Sequence, residues 1–255
     1  MSHSTMLPLI PFLTTPLLKV PLLAGHAMCT YWSMTPPRGA APAVEQKTRG
    51  EPQPDFMSTR FAWILKYCTS ATKIMMCGIA AAEVAVLLAQ YYPASEWSRA
   101  VSRFLPIPGP SALRINVAST IASLLGVTGG LIRMWCFRTL GRFFTWEITV
   151  REKHELITNG PYSFVRHPSY TGSTMVTAGN ILLLTTGGSY FTEAGLWDTI
   201  AGRAAGALFI GWRTWVICQL LGRIRREDRL LQKEFGPRWD DWARRTPYRL
   251  IPLVY

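Results

Sequence analysis

The chain has 255 residues, 49% of them hydrophobic, and a positive mean hydropathy of +0.14. Its charged share is 16%, against about 25% in an ordinary soluble domain; with ten Trp, this points to a membrane protein. The formal charge of +12 is concentrated between Arg223 and Arg249 with no RNA-binding or zinc-finger pattern, which sets aside nucleic acid and suits a margin facing anionic lipid.

A spanning helix needs roughly 20 mostly apolar residues, and five stretches qualify along the chain. Met6 to Trp32 is apolar but holds Pro8, Pro11, Pro16, Pro21 and Lys19. It lacks the basic start and small-residue cleavage site of a signal peptide and reads as a kinked first span. Met34 to Asp55 is rich in Pro, Ala, Gly and charge and reads as a flexible loop. The second span lies within Ile64 to Tyr92, the third within Ala112 to Phe137. The fourth, Pro168 to Thr186, is the weakest because it is rich in Thr, Ser and Gly. The fifth is Leu196 to Leu221.

Basic residues orient these spans. Arg38, Lys47, Arg49, Arg60 and Lys66 follow the first span; Arg138, Arg142, Arg151, Lys153 and Arg166 follow the third; the tail after the fifth is the most basic region. Five crossings with all three regions on one side place the tail in the cytosol. Cys29, Cys68, Cys77, Cys136 and Cys218 form no C-x-x-C pair and read as reduced thiols rather than metal ligands or a disulfide framework. Glu83 and Arg213 fall inside spans, where an unpaired charge is costly, and the expectation is that they pair with each other.

Two polar clusters share the cytosolic face. In "HELITNGPYSFVRHPSY", His154 to Tyr170, Asn159-Gly160-Pro161 is a turn signal, and Pro161 and Pro168 brace the segment between them. Such irregular backbone near a bilayer is tolerated only where it is buried in protein or lines a cavity, and a ligand can pair its open N–H and C=O groups. The alternative is that Arg166 and His167 meet lipid headgroups and Pro168 simply opens a helix. In "RIRREDRLLQKEFGPRWDDW", Arg223 and Glu227 stand four apart on one helix side, with Arg first, the poorer order for an ion pair; both are then available to a ligand. The helix is expected to stop at Gly236 and restart at Pro237, with Trp239 and Trp242 on one face, suited to an interfacial belt.

At these clusters the sequence resembles the isoprenylcysteine carboxyl methyltransferase family. The matching residues are His154-Glu155-Leu156-Ile157, Gly160-Pro161-Tyr162, Arg166-His167-Pro168-Ser169-Tyr170-Thr171-Gly172, and Arg223 with Glu227-Asp228, Leu231, Phe235-Gly236 and Trp239. "LIRMWCFRTLGRFF" and the closing "YRLIPLVY" fit as well. The resemblance implies an all-α, polytopic membrane helix bundle of about five transmembrane helices with a cytosolic C-terminal cofactor-binding region. It divides the chain into 1–110, two spans with the Pro-rich loop, and 111–255, the catalytic part.

The implied activity is methyl transfer from S-adenosyl-L-methionine to a lipophilic carboxylate, first of all that of a C-terminal prenylcysteine. Carried over by position, His154, Glu155, Leu156, Ile157, Tyr162, His167, Pro168, Ser169, Tyr170 and Glu227 hold the cofactor and Arg223 faces the substrate; Glu147 stands where the family often has Gln. No metal is implied. The expected surroundings are membrane lipid, at the endoplasmic reticulum. A small terpenoid-type carboxylate or a phospholipid amine is the alternative acceptor, and a transporter or scaffold is the alternative class.

Overall fold

A computed structural model describes residues 16–35, 62–109, 111–144 and 154–254. The Pro-rich loop, most of the basic 34–66 loop and Glu147 lie outside them. The described residues form helices and turns with no strand among them: α1 Lys19–Ser33, α2 Ala62–Tyr91, α3 Glu96–Phe104, α4 Val117–Leu140, α5 Pro168–Thr185, α6 Tyr190–Glu193, α7 Ile200–Phe235 and α8 Pro237–Arg245. This is the all-α bundle the sequence implied.

Among the described residues, three helical stretches are long and apolar enough to cross a membrane: Trp63–Tyr91, Val117–Phe143 and Ile200–Phe235. Their outward residues suit lipid: Ile74, Val117, Leu131 and Leu208 are all more than half exposed on helices. The other two expected spans are helical but fall outside that group: α1, with 15 residues, is short, residues 6–15 of that expected span lying outside the described residues, and α5, with 18, is too polar. The reason for the weak signal of α5 is now visible. Its Ser169, Gly172, Ser173, Thr177, Gly179 and Asn180 are buried, so its small and polar side chains face protein. A helix enclosed by other helices needs no apolar coat.

Glycines set how closely the helices pack. In α4, a Cβ on Gly129 would lie 2.6 Å from the Gly172 carbonyl oxygen of α5, and one on Gly130 would lie 2.5 Å from Cys29 Cβ of α1. Such small-residue contacts are the usual means of close approach between membrane helices. Gly129→Val therefore forces α4 and α5 apart. The expected outcome is a melting temperature in detergent several degrees lower, corresponding to about 1–3 kcal/mol of overpacking. By contrast, Leu124→Ala on the outward side of the same helix, at a 54% exposed position, should be near neutral.

The buried charges pair differently from expectation. Glu83 of α2 forms an ion pair with Lys19 at the start of α1, each 2% exposed. Lys19 Nζ also donates to the Gly188 carbonyl at 2.6 Å, and the Tyr190 N–H donates to Glu83 Oε2 at 3.0 Å. Arg213 instead donates to Thr177 Oγ1 at 2.6 Å. The sequence hides Lys19 as a partner because it reads as a blemish in the first span rather than as the first residue of a helix that begins there. Glu83→Gln leaves Lys19 a buried unpaired cation, so a loss of about 3–5 kcal/mol is expected, read as a lower denaturation midpoint; an unchanged midpoint would show that the pair is solvated.

Candidate active site

The polar segment after α4 is irregular for the reason its prolines suggest. Residues 154–158 have no regular secondary structure, Gly160–Ser163 form one 3-10 turn with Gly160 at φ +58°, and Pro168 occupies the first turn of α5. The segment is fixed from the C-terminal side of the chain. The Arg166 N–H donates to the Tyr248 carbonyl at 2.9 Å, the His167 N–H to the Arg249 carbonyl at 2.8 Å, and the Thr171 hydroxyl to the Leu250 carbonyl at 2.7 Å.

Helix α7 continues past the apolar span and carries the second cluster to the first. As the sequence indicates, it ends at Phe235; Gly236 has φ +52° and Pro237 opens α8. Trp239 and Trp242 do share a face, but they point inward, 8% and 3% exposed, against Tyr162 and Cys136. Trp242 Nε1 donates to the Tyr162 carbonyl at 3.1 Å, so these rings lock α8 beneath the site rather than forming a lipid belt. Burial holds the Tyr162 hydroxyl well above its usual 10, with Cys136 alongside adding to the shift; it stays protonated.

One cavity brings the two clusters together. It is lined by His154, Glu155, Leu156, Ile157, Tyr162, His167, Ser169, Tyr170, Arg223 and Glu227. Of the residues that the resemblance assigns to cofactor or substrate, Pro168 alone is absent from its wall; it is buried at the helix start. The His154 ring sits between Phe143 at 4.8 Å and Phe235 at 5.8 Å. Tyr170 joins the clusters: its hydroxyl donates to Glu227 Oε2 at 2.6 Å, its ring stacks on His167 at 5.4 Å, and the Arg223 guanidinium lies over it at 5.8 Å. Glu227 is therefore partly engaged within the protein: one oxygen is held by Tyr170, and the side chain remains 29% exposed.

Three further residues shape the site, and the sequence reading places none of them at the cofactor or substrate. Asp228, adjacent to Glu227, is the anchor of the arrangement. Its Oδ1 accepts from His167 Nε2 at 3.0 Å, and its Oδ2 accepts from Arg249 Nε at 3.2 Å and faces Arg166 Nη2 at 3.6 Å. Arg133 of α4, 8% exposed, donates from Nε to the Ser33 carbonyl at 2.8 Å and from Nη1 to the Ser169 carbonyl at 3.1 Å and hydroxyl at 3.3 Å. Arg213 lines the same cavity. Asp228 is legible as the second acid of the Glu-Asp pair, and Arg133 as an arginine in an otherwise apolar span.

No backbone–backbone hydrogen bond among the described residues engages the N–H or C=O groups of Glu155, Leu156 or Ile157. Irregular backbone with no such bond among the described residues, walled by Leu140, Leu231 and Trp242 on the same cavity, is suited to a flat ligand that is polar at its edge.

Comparisons with known proteins match part of the chain. Residues 122–196 match the model of the isoprenylcysteine carboxyl methyltransferase (ICMT) family. Protein-S-isoprenylcysteine O-methyltransferase B of Arabidopsis thaliana is 30% identical over 130 residues, 50% of this chain and 56% of that protein. The Nickel-cobalt-cadmium resistance protein NccN of Alcaligenes xylosoxydans xylosoxydans is 33% identical over 134 residues, 52% of this chain and 50% of its own length. Protein-S-isoprenylcysteine O-methyltransferase A of Arabidopsis thaliana is 35% identical over 68 residues, 26% of this chain and 34% of that protein. The chain spans about half the length of the first two of these relatives. It is related to the isoprenylcysteine carboxyl methyltransferase family, whose model it matches from the first turns of α4 to the turn before α7.

Proposed function

We propose that this chain is an integral-membrane carboxyl methyltransferase that binds S-adenosyl-L-methionine and esterifies a lipophilic carboxylate, first that of a C-terminal prenylcysteine. The observation that carries the reading is the meeting, in one cavity, of two motifs joined by the hydrogen bond between His167 and Asp228, 61 residues apart. In this reading residues 111–255 hold the chemistry, and Met34, Leu65 and Thr69 from 1–110 help close the cavity wall. The basic tail favours the cytosolic side of the endoplasmic reticulum.

The residues present fit the cofactor. Glu155, Leu156, Ile157, Tyr162 and Trp242 would hold its adenine end, and Glu227 its cationic end. Bound there, S-adenosyl-L-methionine supplies an activated methyl on a sulfonium. The rest is positioning by this chain. A carboxylate is already ionised near neutral pH, so no general base is needed, in accord with a cavity organised around arginines. Arg223 and Arg133 orient the carboxylate oxygens by charge-assisted N–H bonds. Alignment and exclusion of water contribute roughly 7–11 kcal/mol in favourable cases.

The relative named for metal resistance raises a second reading, but the described residues contain no group of three or more His, Cys, Asp or Glu able to hold a metal ion. The test is the purified protein with labelled S-adenosylmethionine and three acceptors: N-acetyl-farnesylcysteine, a terpenoid acid and phosphatidylethanolamine. Base-labile methyl ester on either acid supports the proposal; label only on the amine, or on none, overturns it.

A further inference from the structure

Arg213 stands ten residues before Arg223 on α7, about 15 Å away along the helix axis. It is 4% exposed and lines the cavity. Its Nη2 donates to the neutral Thr177 hydroxyl at 2.6 Å, while its buried Nε has no hydrogen-bond partner. No carboxylate among the described residues lies within ion-pair distance of it. A buried cation in a membrane protein is costly unless something pairs with it, and this one carries an N–H that no protein group uses.

Arg133 is in the same condition. It donates to the Ser33 and Ser169 carbonyls and the Ser169 hydroxyl, all neutral, and it lines the cavity without a carboxylate partner among the described residues. The anchors of the two arginines, Ser169 and Thr177, lie two turns apart on one face of α5, with Ser173 between them on the cavity wall. The two guanidinium charges act on one another. Two neighbouring cations that face one cavity and bond only to neutral groups make a place for a single anion. Val176, Val216 and Leu220 wall the cavity beside them, which suits the hydrocarbon tail of a prenylcysteine.

We infer that Arg213 is an acceptor-binding residue whose Nε–H and charge, together with Arg133, hold the one carboxylate that is methylated. This rests on the carboxyl methyltransferase reading and adds Arg213 to the arginines placed on that carboxylate. An amphiphile with one acidic group and an apolar tail satisfies the site. The contact also has a direction. In the transfer a carboxylate lone pair forms the O–C bond to the methyl, the C–S electron pair stays on sulfur, and the acceptor becomes a neutral ester. The charge that Arg213 recognises is thereby consumed, so the site holds the acid and releases the ester.

Isothermal titration of the purified protein with N-acetyl-farnesylcysteine and with its methyl ester tests this. The unaltered protein is expected to bind the acid at least about tenfold more tightly than the ester, the scale of one well-placed charged contact. Arg213→Met should weaken the acid about tenfold and leave the ester unchanged, and Arg213→Lys, which keeps the charge, should fall between. An unchanged acid affinity in Arg213→Met overturns the inference, and so does an equal loss of acid and ester, which marks a structural role. Should Arg213→Met fail to fold, Thr177→Val, which removes the anchor of the guanidinium, decides the matter: the acid alone should weaken, and any other result overturns the inference. S-adenosylmethionine should bind Arg213→Met as it binds the unaltered protein; a loss there gives Arg213 to the cofactor's own carboxylate and also overturns the inference. Cofactor binding by the unaltered protein separates the two proposals: if it is present and Arg213→Met leaves the acid unaffected, the role of Arg213 alone falls, and if it is absent, the enzyme reading falls.

Discussion

Arg223→Ala and Glu227→Ala are each expected to lower kcat/KM for methyl transfer by about 10²–10³-fold or more, the scale seen when a preorganised polar contact to the reacting groups is removed, with little loss of folded protein. The two should fail in different ways. Arg223 is 6% exposed and lies over the Tyr170 ring, and in the proposed reading it meets the acceptor. Its loss should spare cofactor affinity and reduce turnover. Glu227 accepts the Tyr170 hydroxyl and flanks His167, so its loss should weaken the cofactor itself. Steady-state kinetics with a cofactor titration for each variant checks the split. Near-normal turnover in either contradicts the assignment.

Asp228→Ala should be the most damaging single change to the architecture of the site. Its carboxylate serves His167, Arg249 and Arg166 together, and it is 6% exposed. Removing it leaves Arg166 and Arg249 without their shared anion and His167 without its acceptor, at a cost of about 3–5 kcal/mol. Residues 166–171 and 248–250, which are joined by hydrogen bonds to backbone carbonyls, should then separate, and cofactor affinity should fall along with the melting temperature. Asp228→Asn keeps an acceptor for His167 but loses the charge, so a smaller fall is expected. Thermal melts and cofactor titration on both variants check the order; equal effects would show that charge plays no part.

The sequence is most legible where local rules decide the outcome. Gly236-Pro237 ends one helix and opens another because a positive φ and a missing N–H leave few alternatives. Asn159-Gly160-Pro161 makes a turn for the same reason. Arg223 and Glu227 reach the cavity together because α7 is one continuous helix, so residues four apart share a side whatever surrounds them. Partners are less legible. Glu83 pairs with Lys19 rather than Arg213, and Trp239 and Trp242 turn inward, because such choices depend on which helices lie adjacent, and a single chain's pattern does not encode that. Hydropathy also misleads for α5: a helix wrapped by others can be rich in Ser, Thr and Gly, and its weak signal is itself the mark of a central position.

The central claim is that the braced segment 154–170 and the charged end of α7 form one cofactor site. Isothermal titration of S-adenosylmethionine into the purified protein tests it most directly. The account predicts saturable binding at a single site, weakened at least about tenfold by Tyr162→Ala as well as by Glu227→Ala, one residue drawn from each half. Binding that is absent, or that neither substitution affects, would contradict it.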